Sequence, residues 1–227
     1  DQGIRTAYTL AELGNAYDLG LASSFKTAFE KLGGTVESGN FPTNQADFTS
    51  YITNAKNSGA QAIFAPTSIS YAQLIVEAAA TQKVGIPLYA GDTWDSNVIL
   101  QAAKDKDVTI NITTFYQEGG NQEFDDGFKK WLNADSSKLT NNGGNDIVSA
   151  VSAMGYDAYF TALEAIKAAN STEPAKIMEA LWNVQYKGVT GDIQFDSVNG
   201  DAERTVAYIK AADTTTGAWT FVKEQGI

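Results

Sequence analysis

Apolar residues in the first half of the chain alternate between two spacings. Ile4 to Leu10 reads as a strand. Tyr17, Leu21, Phe25, Ala28, Phe29 and Leu32 then recur at helical intervals, and Gly33-Gly34 ends that helix. A short strand is expected near Thr35 to Ser38. A helix follows over Asp47 to Ser58, with Phe48, Tyr51, Ile52 and Ala55 on one face. Ala60 to Ala65 is a compact apolar run, as expected of a strand covered on both faces. Tyr71, Leu74, Ile75, Ala78 and Ala79 form a third helical stripe that closes near Gly85. Pro87 to Ala90 reads as a strand, Ser96 to Ala103 as a short helix and Val108 to Phe115 as a fifth strand. Strands alternating with amphipathic helices predict an α/β fold: a doubly wound, mostly parallel sheet with helices on both faces.

The second half has a different pattern. Phe124, Phe128, Trp131 and Leu132 mark a helix, and the polar stretch Asn133 to Asn145 reads as a loop or linker. Ile147 to Ala169 is the longest helical pattern, with Ile147, Val151, Met154, Ala158, Ala162 and Ile166 in phase. Pro174 suits the first turn of one more helix, carrying Ile177 and Leu181. Gly188 to Phe195 reads as a turn and a strand. Val206 to Ile209 and Trp219 to Val222 read as a closing hairpin around Asp213 to Gly217.

Composition removes much chemistry. With 27 acidic and 16 basic residues among 227, the net charge is −11, so nucleic acid and anionic membrane surfaces are poor partners. The chain has no Cys and no His, hence no disulfide, no thiolate nucleophile and no imidazole base or ligand. Gly-x-Ser-x-Gly is absent, and no phosphate-binding glycine loop follows a strand. Asp192, Asp196 and Asp201 are spread around a turn rather than spaced as a calcium loop. No cofactor, metal or catalytic residue is expected. No apolar run reaches the roughly 20 residues of a membrane helix.

Ligands of open parallel sheets bind beyond the carboxyl ends of the strands. Glu12 to Tyr17 follow the first strand there, Pro66 to Tyr71 the third and Gly91 to Asp95 the fourth. Hydroxyls, carboxylates and rings on this rim suit a small polar or zwitterionic ligand. Each candidate also has a structural reading. Tyr17 could pack in its helical stripe, Thr67 and Ser68 could cap the next helix, and Asp92 could be a turn residue. Trp94 is either a ring wall or an anchor.

Tyr17-Asp18-Leu19-Gly20, Asp47-Phe48, Gly85-Ile86-Pro87 and Gly91-Asp92-Thr93-Trp94 resemble type I periplasmic binding proteins, most of all the leucine/isoleucine/valine-type solute receptors of ABC importers. Gly155-Tyr156-Asp157-Ala158, Gly188 to Asp196 and Asn199-Gly200-Asp201 continue the resemblance over nearly the whole chain. It implies a non-enzymatic, extracytoplasmic receptor, periplasmic or lipid-anchored, for an amino acid or similar metabolite, with an ABC permease as partner. It further implies that Tyr17, Asp92 and Tyr156 contact the ligand, Asp92 taking its ammonium, with Thr67 and Ser68 near a further contact. Trp94 joins this set from its place on the rim.

The resemblance divides the chain into lobe two over residues 1–140, a crossover segment of helices over 141–200 that normally completes lobe one, and a return hairpin over 201–227. It implies a C-terminal part lacking most of lobe one, which on its own binds weakly or not at all. The helices within 147–183 are then expected to fold onto lobe two, to pair with a second chain or to swap between chains. A sensory domain of the same fold, or less readily an α/β hydrolase using Asp92 with a metal, are the alternatives.

Overall fold

The computed structural model describes residues 3–196, 198 and 200–226. By packing, the chain forms two compact units: everything up to Thr113 together with Ile209–Val222, and Thr114–Tyr208 together with the segment after Val222. The first stretch of the first unit therefore ends at Thr113. The reason is Tyr116, Phe124 and Phe128, which pack with Val148, Ala150 and Ala153 instead of on the sheet.

The first unit is built on a parallel sheet. β1 (Thr6–Glu12) lies between β2 (Thr35–Phe41) and β3 (Ala62–Phe64); β4 (Leu88–Ala90) and β5 (Ile110–Thr114) follow in parallel. Two later strands, β8 (Val206–Asp213) and β9 (Ala218–Gly226), complete the order β2-β1-β3-β4-β5-β8-β9.

Alternation along the strands sorts the two faces. Ala7, Val36 and Ala62 point to one side, where Phe25 and Phe29 of α1 (Ala16–Lys31) cover them. Tyr8, Leu10, Ile63 and Leu88 point to the other. There they meet Phe48 and the helices α2 (Thr49–Asn57), α3 (Ile69–Gln82) and α4 (Asn97–Ala103), through Ile52, Ile75 and Ile99. α1 lies on one face and α2 to α4 on the other, as right-handed crossovers require once the chain leaves β1 for β2 on one side and then reaches β3 on the opposite side. That reversal makes the carboxyl ends of β1 and β3 the topological switch point of the sheet.

The second unit holds α5 (Gln122–Asn133), α6 (Ser136–Asn141), α7 (Ala150–Ala169), α8 (Pro174–Leu181) and a separate antiparallel pair, β6 (Tyr186–Gly188) and β7 (Gly191–Ile193). The stretch expected to be loop from Asn133 to Asn145 contains α6, started by the Asp135 side chain accepting from Ser137 N. The expected turn and strand at Gly188 to Phe195 is a hairpin, because Tyr186 to Gly188 supplies its partner. Asn199 of the Asn199-Gly200-Asp201 motif lies outside the described residues.

α7 turns out of phase with the expected stripe. Its buried positions are Ala150, Ala153, Asp157, Thr161 and Ala165, one residue away from the large apolar side chains, while Val151 and Ile166 stand exposed. Small residues let α8 and β6 approach the helix closely. Asp157 on that face is a hub: its Oδ1 accepts from Val189 N at 2.8 Å, and its Oδ2 from Thr190 N at 2.8 Å and Thr190 Oγ1 at 2.6 Å. No side chain fits at Gly188, since a Cβ there would lie 2.4 Å from Oδ2. Among the described residues no helix is long and apolar enough to cross a membrane.

Candidate functional site

The rim at the switch point starts from a helix cap. Asn15 precedes α1, and its side-chain oxygen accepts from Tyr17 N at 3.1 Å and Asp18 N at 3.3 Å. This sets the first turn so that Tyr17 stands over the sheet edge, 41% exposed. Its hydroxyl donates to Oδ1 of Asp92, which opens the single 3-10 turn Asp92–Trp94 after β4. Gly91 makes the approach possible, because a Cβ at that position would come within 3.2 Å of the Tyr17 hydroxyl. Burial, then the hydrogen bond to Asp92 and its charge, hold the Tyr17 phenol well above the usual tyrosine range. Tyr17 is therefore a neutral donor, and Asp92 is its acceptor. Among the described residues the second oxygen of the half-buried Asp92 carboxylate has no hydrogen-bond partner.

Thr67 is brought to the same turn, but by its backbone. Its carbonyl accepts from Thr93 Oγ1 at 3.0 Å and from Trp94 Nε1 at 3.1 Å. The side chain is wholly buried, and its hydroxyl has no partner. Ser68 takes the cap position of α3, yet its hydroxyl pairs with that of Ser70 at 3.1 Å rather than with a helix amide. Trp94 is a correction to the expected site. It is 0% exposed and pinned by its indole N–H to Thr67, so it anchors the turn from within the core and offers no ring to a ligand. Tyr156 belongs to the second unit, midway along α7, where its ring packs on Phe124 and Phe160 at 5.0 and 4.6 Å between centroids.

Two further groups complete the rim of the first unit. Glu12, the last residue of β1, accepts from the Tyr71 hydroxyl at 2.9 Å and from Asn15 Nδ2 at 3.3 Å. Hydrogen bonds from Thr43, Tyr71 and Asn15 hold its carboxyl below the usual range. The Tyr71 hydroxyl in turn accepts from Asn44 N at 3.0 Å. Their positions, ending a strand and opening the following helix, are the signal available in the sequence.

Asp18 lies beneath this rim, 1% exposed. Its Oδ2 accepts from Glu12 N at 3.1 Å, and Oδ1 has no partner. Burial pushes its carboxyl up to about 6, with the Glu12 amide opposing and the Glu12 charge adding. The folded state thus binds this proton more tightly than the unfolded chain. The stability it gives is complete below about pH 4, falls as the pH rises to about 6, and stays lost above that. The loss is about 2–3 kcal/mol. Asp18→Asn keeps an acceptor for the Glu12 amide without the charge. The variant should be more stable than the parent in urea at pH 8, equal to it near pH 4, and flat between. A parent whose stability rises over this interval would contradict the assignment.

Residues 1–216 match the family described as periplasmic binding protein. No curated protein matches the sequence. Among solved structures, the leucine-binding protein LivK of Thermotoga maritima is 24% identical, with a TM-score of 0.77 over 99% of this chain and 61% of its own. The solute-binding protein of an ABC transporter from R. palustris, in complex with benzoate, is 16% identical, with a TM-score of 0.78 over 99% of this chain and 59% of its own. The substrate-binding protein LivJ of Streptococcus pneumoniae, in complex with isoleucine, is 19% identical, with a TM-score of 0.68 over 99% and 60%. The chain spans about three fifths of the length of these proteins. At this identity they establish the fold, and the match along nearly the whole sequence establishes the rest: this chain belongs to the periplasmic binding protein family.

Proposed function

We propose that the rim of the first unit is one wall of the binding site of an ABC-importer solute receptor, working outside the cytoplasm and delivering its solute to a membrane permease. The observation that carries this reading is the Tyr17–Asp92 pair at the sheet's switch point, an oriented carboxylate beside an exposed ring. The solute is an amino acid or a similar small polar metabolite. Its ammonium meets Asp92, and its apolar part lies along the Tyr17 ring. Ser68 and Ser70 supply hydroxyls at the neighbouring strand end. Isoleucine and benzoate, bound in two of the similar solved structures, are of this size.

The rim binds without breaking bonds. Tyr17 is a neutral donor with its proton committed to Asp92, and the sequence contains neither His nor Cys to serve as base or nucleophile.

A single wall buries only part of a solute, so the chain alone binds weakly. Nitrogen-15 NMR titration of the chain with a panel of aliphatic and polar amino acids, carried to tens of millimolar, tests the reading. At least one should shift the amides of Tyr17, Gly91 and Thr93 together. No response from any of them, or a response confined to other regions, would refute it.

A further inference from the structure

The second unit contains a cavity of about 560 Å³ that the rim does not use. It lies between the segment before α5, the β6–β7 hairpin and the stretch leading into β8. That volume falls in the range of small-molecule sites, about 300–1,000 Å³.

Two buried carboxylates fix its walls in advance. Asp157 holds Val189 and Thr190 of the hairpin by three hydrogen bonds of 2.6–2.8 Å. Behind the lining residue Tyr116, Asp125, 2% exposed, accepts from the Tyr116 hydroxyl and from Gly119 N, both at 2.6 Å. Among the described residues no Asp157 oxygen bonds an arginine directly; the Asp157 charge reaches Arg204 across the Thr190 hydroxyl, which donates to Asp157 Oδ2 and accepts from Arg204. The Arg204 Nη1 donates to Thr190 O and Thr190 Oγ1, both at 3.0 Å, and its guanidinium lies 5.5 Å from the centre of the Phe115 ring. The side chain is thereby fixed in place while its remaining donors are left for the cavity. It is partly removed from water, which lowers its affinity for the proton, with Asp157 opposing; it stays cationic at neutral pH.

The charges lining the cavity select among ligands. Arg204 is one fixed cation, and Asp192 and Glu203 are two exposed carboxylates on the same lining. A plain anion meets the two carboxylates, and a plain cation meets Arg204. A molecule with both charges satisfies both. The half-buried ring of Phe115 adds a flat apolar surface, with the buried Tyr116 ring packed on Phe124 behind the lining.

The geometry points to a second small-molecule site in this cavity, for an aromatic zwitterion whose carboxylate pairs with Arg204 and whose ammonium faces Asp192 and Glu203. It does not depend on the function proposed for the rim. A bidentate carboxylate–guanidinium contact in a partly desolvated site is the strong form of such a pair.

L-phenylalanine, benzoate and benzylamine are the probes, titrated into the nitrogen-15-labelled chain. L-phenylalanine should shift the amides of Gly120, Gly188 and Gly191, and should bind at least about tenfold more tightly than either single-charge probe. Arg204→Gln should abolish this response, whereas Asp92→Asn, far along the chain in the rim, should leave it intact. Arg204 also ties down Thr190, so a second variant guards against a disordered loop. Asp192→Asn combined with Glu203→Gln alters exposed side chains only, and should reverse the preference so that benzoate binds more tightly than L-phenylalanine. Absence of shifts at the three glycines, an unchanged response in Arg204→Gln, or an unchanged preference in the double variant would each overturn the assignment.

Discussion

Lys210→Met should destabilise the first unit by about 3–5 kcal/mol, the usual cost of breaking a buried ion pair from one side. Lys210 Nζ lies 2.9 Å from Asp95 Oδ2, and the two side chains are 4% and 1% exposed. Lys210 sits on β8, near the point where the chain re-enters the first unit, and Asp95 closes the turn that begins at Asp92. Removing the ammonium takes the Lys210 counter-charge from a carboxylate that is 1% exposed, in a low-dielectric setting where water does not replace it. The Lys210→Met, Asp95→Asn double variant removes the stranded charge, so it should recover a large part of the loss. Urea unfolding followed by circular dichroism measures both. A cost below about 1 kcal/mol for Lys210→Met would place the pair among ordinary surface salt bridges and contradict its structural role.

The first half of the fold was legible because its strands are short apolar runs closed by turn residues and its helices have one apolar face. Phe48, Ile52 and Ala55 of the second helix are buried as their spacing requires. The second half was harder to read because the determining contacts are polar or involve small residues. In α7 the eye follows Val151 and Ile166, but packing follows Ala150, Ala153 and Ala165, whose lack of bulk permits close approach. Asp157 and the Gly188-Val189-Thr190-Gly191 segment stand more than thirty positions apart, and no local pattern says that one carboxylate binds the backbone of the other segment. The unit boundary at Thr113 was hidden for the same reason: Phe124 and Phe128 have the spacing of any amphipathic helix, which does not say what the helix packs on.

At the candidate site, sequence located the rim and the structure assigned the parts. Tyr17 and Asp92, 75 positions apart, are joined by a hydrogen bond. Thr67 contributes its carbonyl rather than its hydroxyl, and Trp94 is the buried peg that fixes the turn. Polar neighbours on both sides of Trp94 leave a ring wall and an anchor equally open. A single buried ring can occupy a polar stretch when its N–H finds a carbonyl, and this cannot be read from neighbours alone.

Asp92→Asn carries the second large effect. The substitution keeps an acceptor for the Tyr17 hydroxyl and the shape of the turn, but it removes the charge that would face a ligand ammonium. A hydrogen bond to a charged group is worth about 1.5–3 kcal/mol, so affinity for an amino acid at the rim should fall by about 10- to 100-fold. The most direct measurement is therefore a paired NMR titration of the parent chain and Asp92→Asn with the amino acid that moves the parent's Tyr17, Gly91 and Thr93 amides. These shifts should vanish over the same concentrations in Asp92→Asn while the rest of the spectrum stays that of the folded parent. Equal shifts and equal affinity in the two proteins would show that the rim carboxylate does not hold the solute.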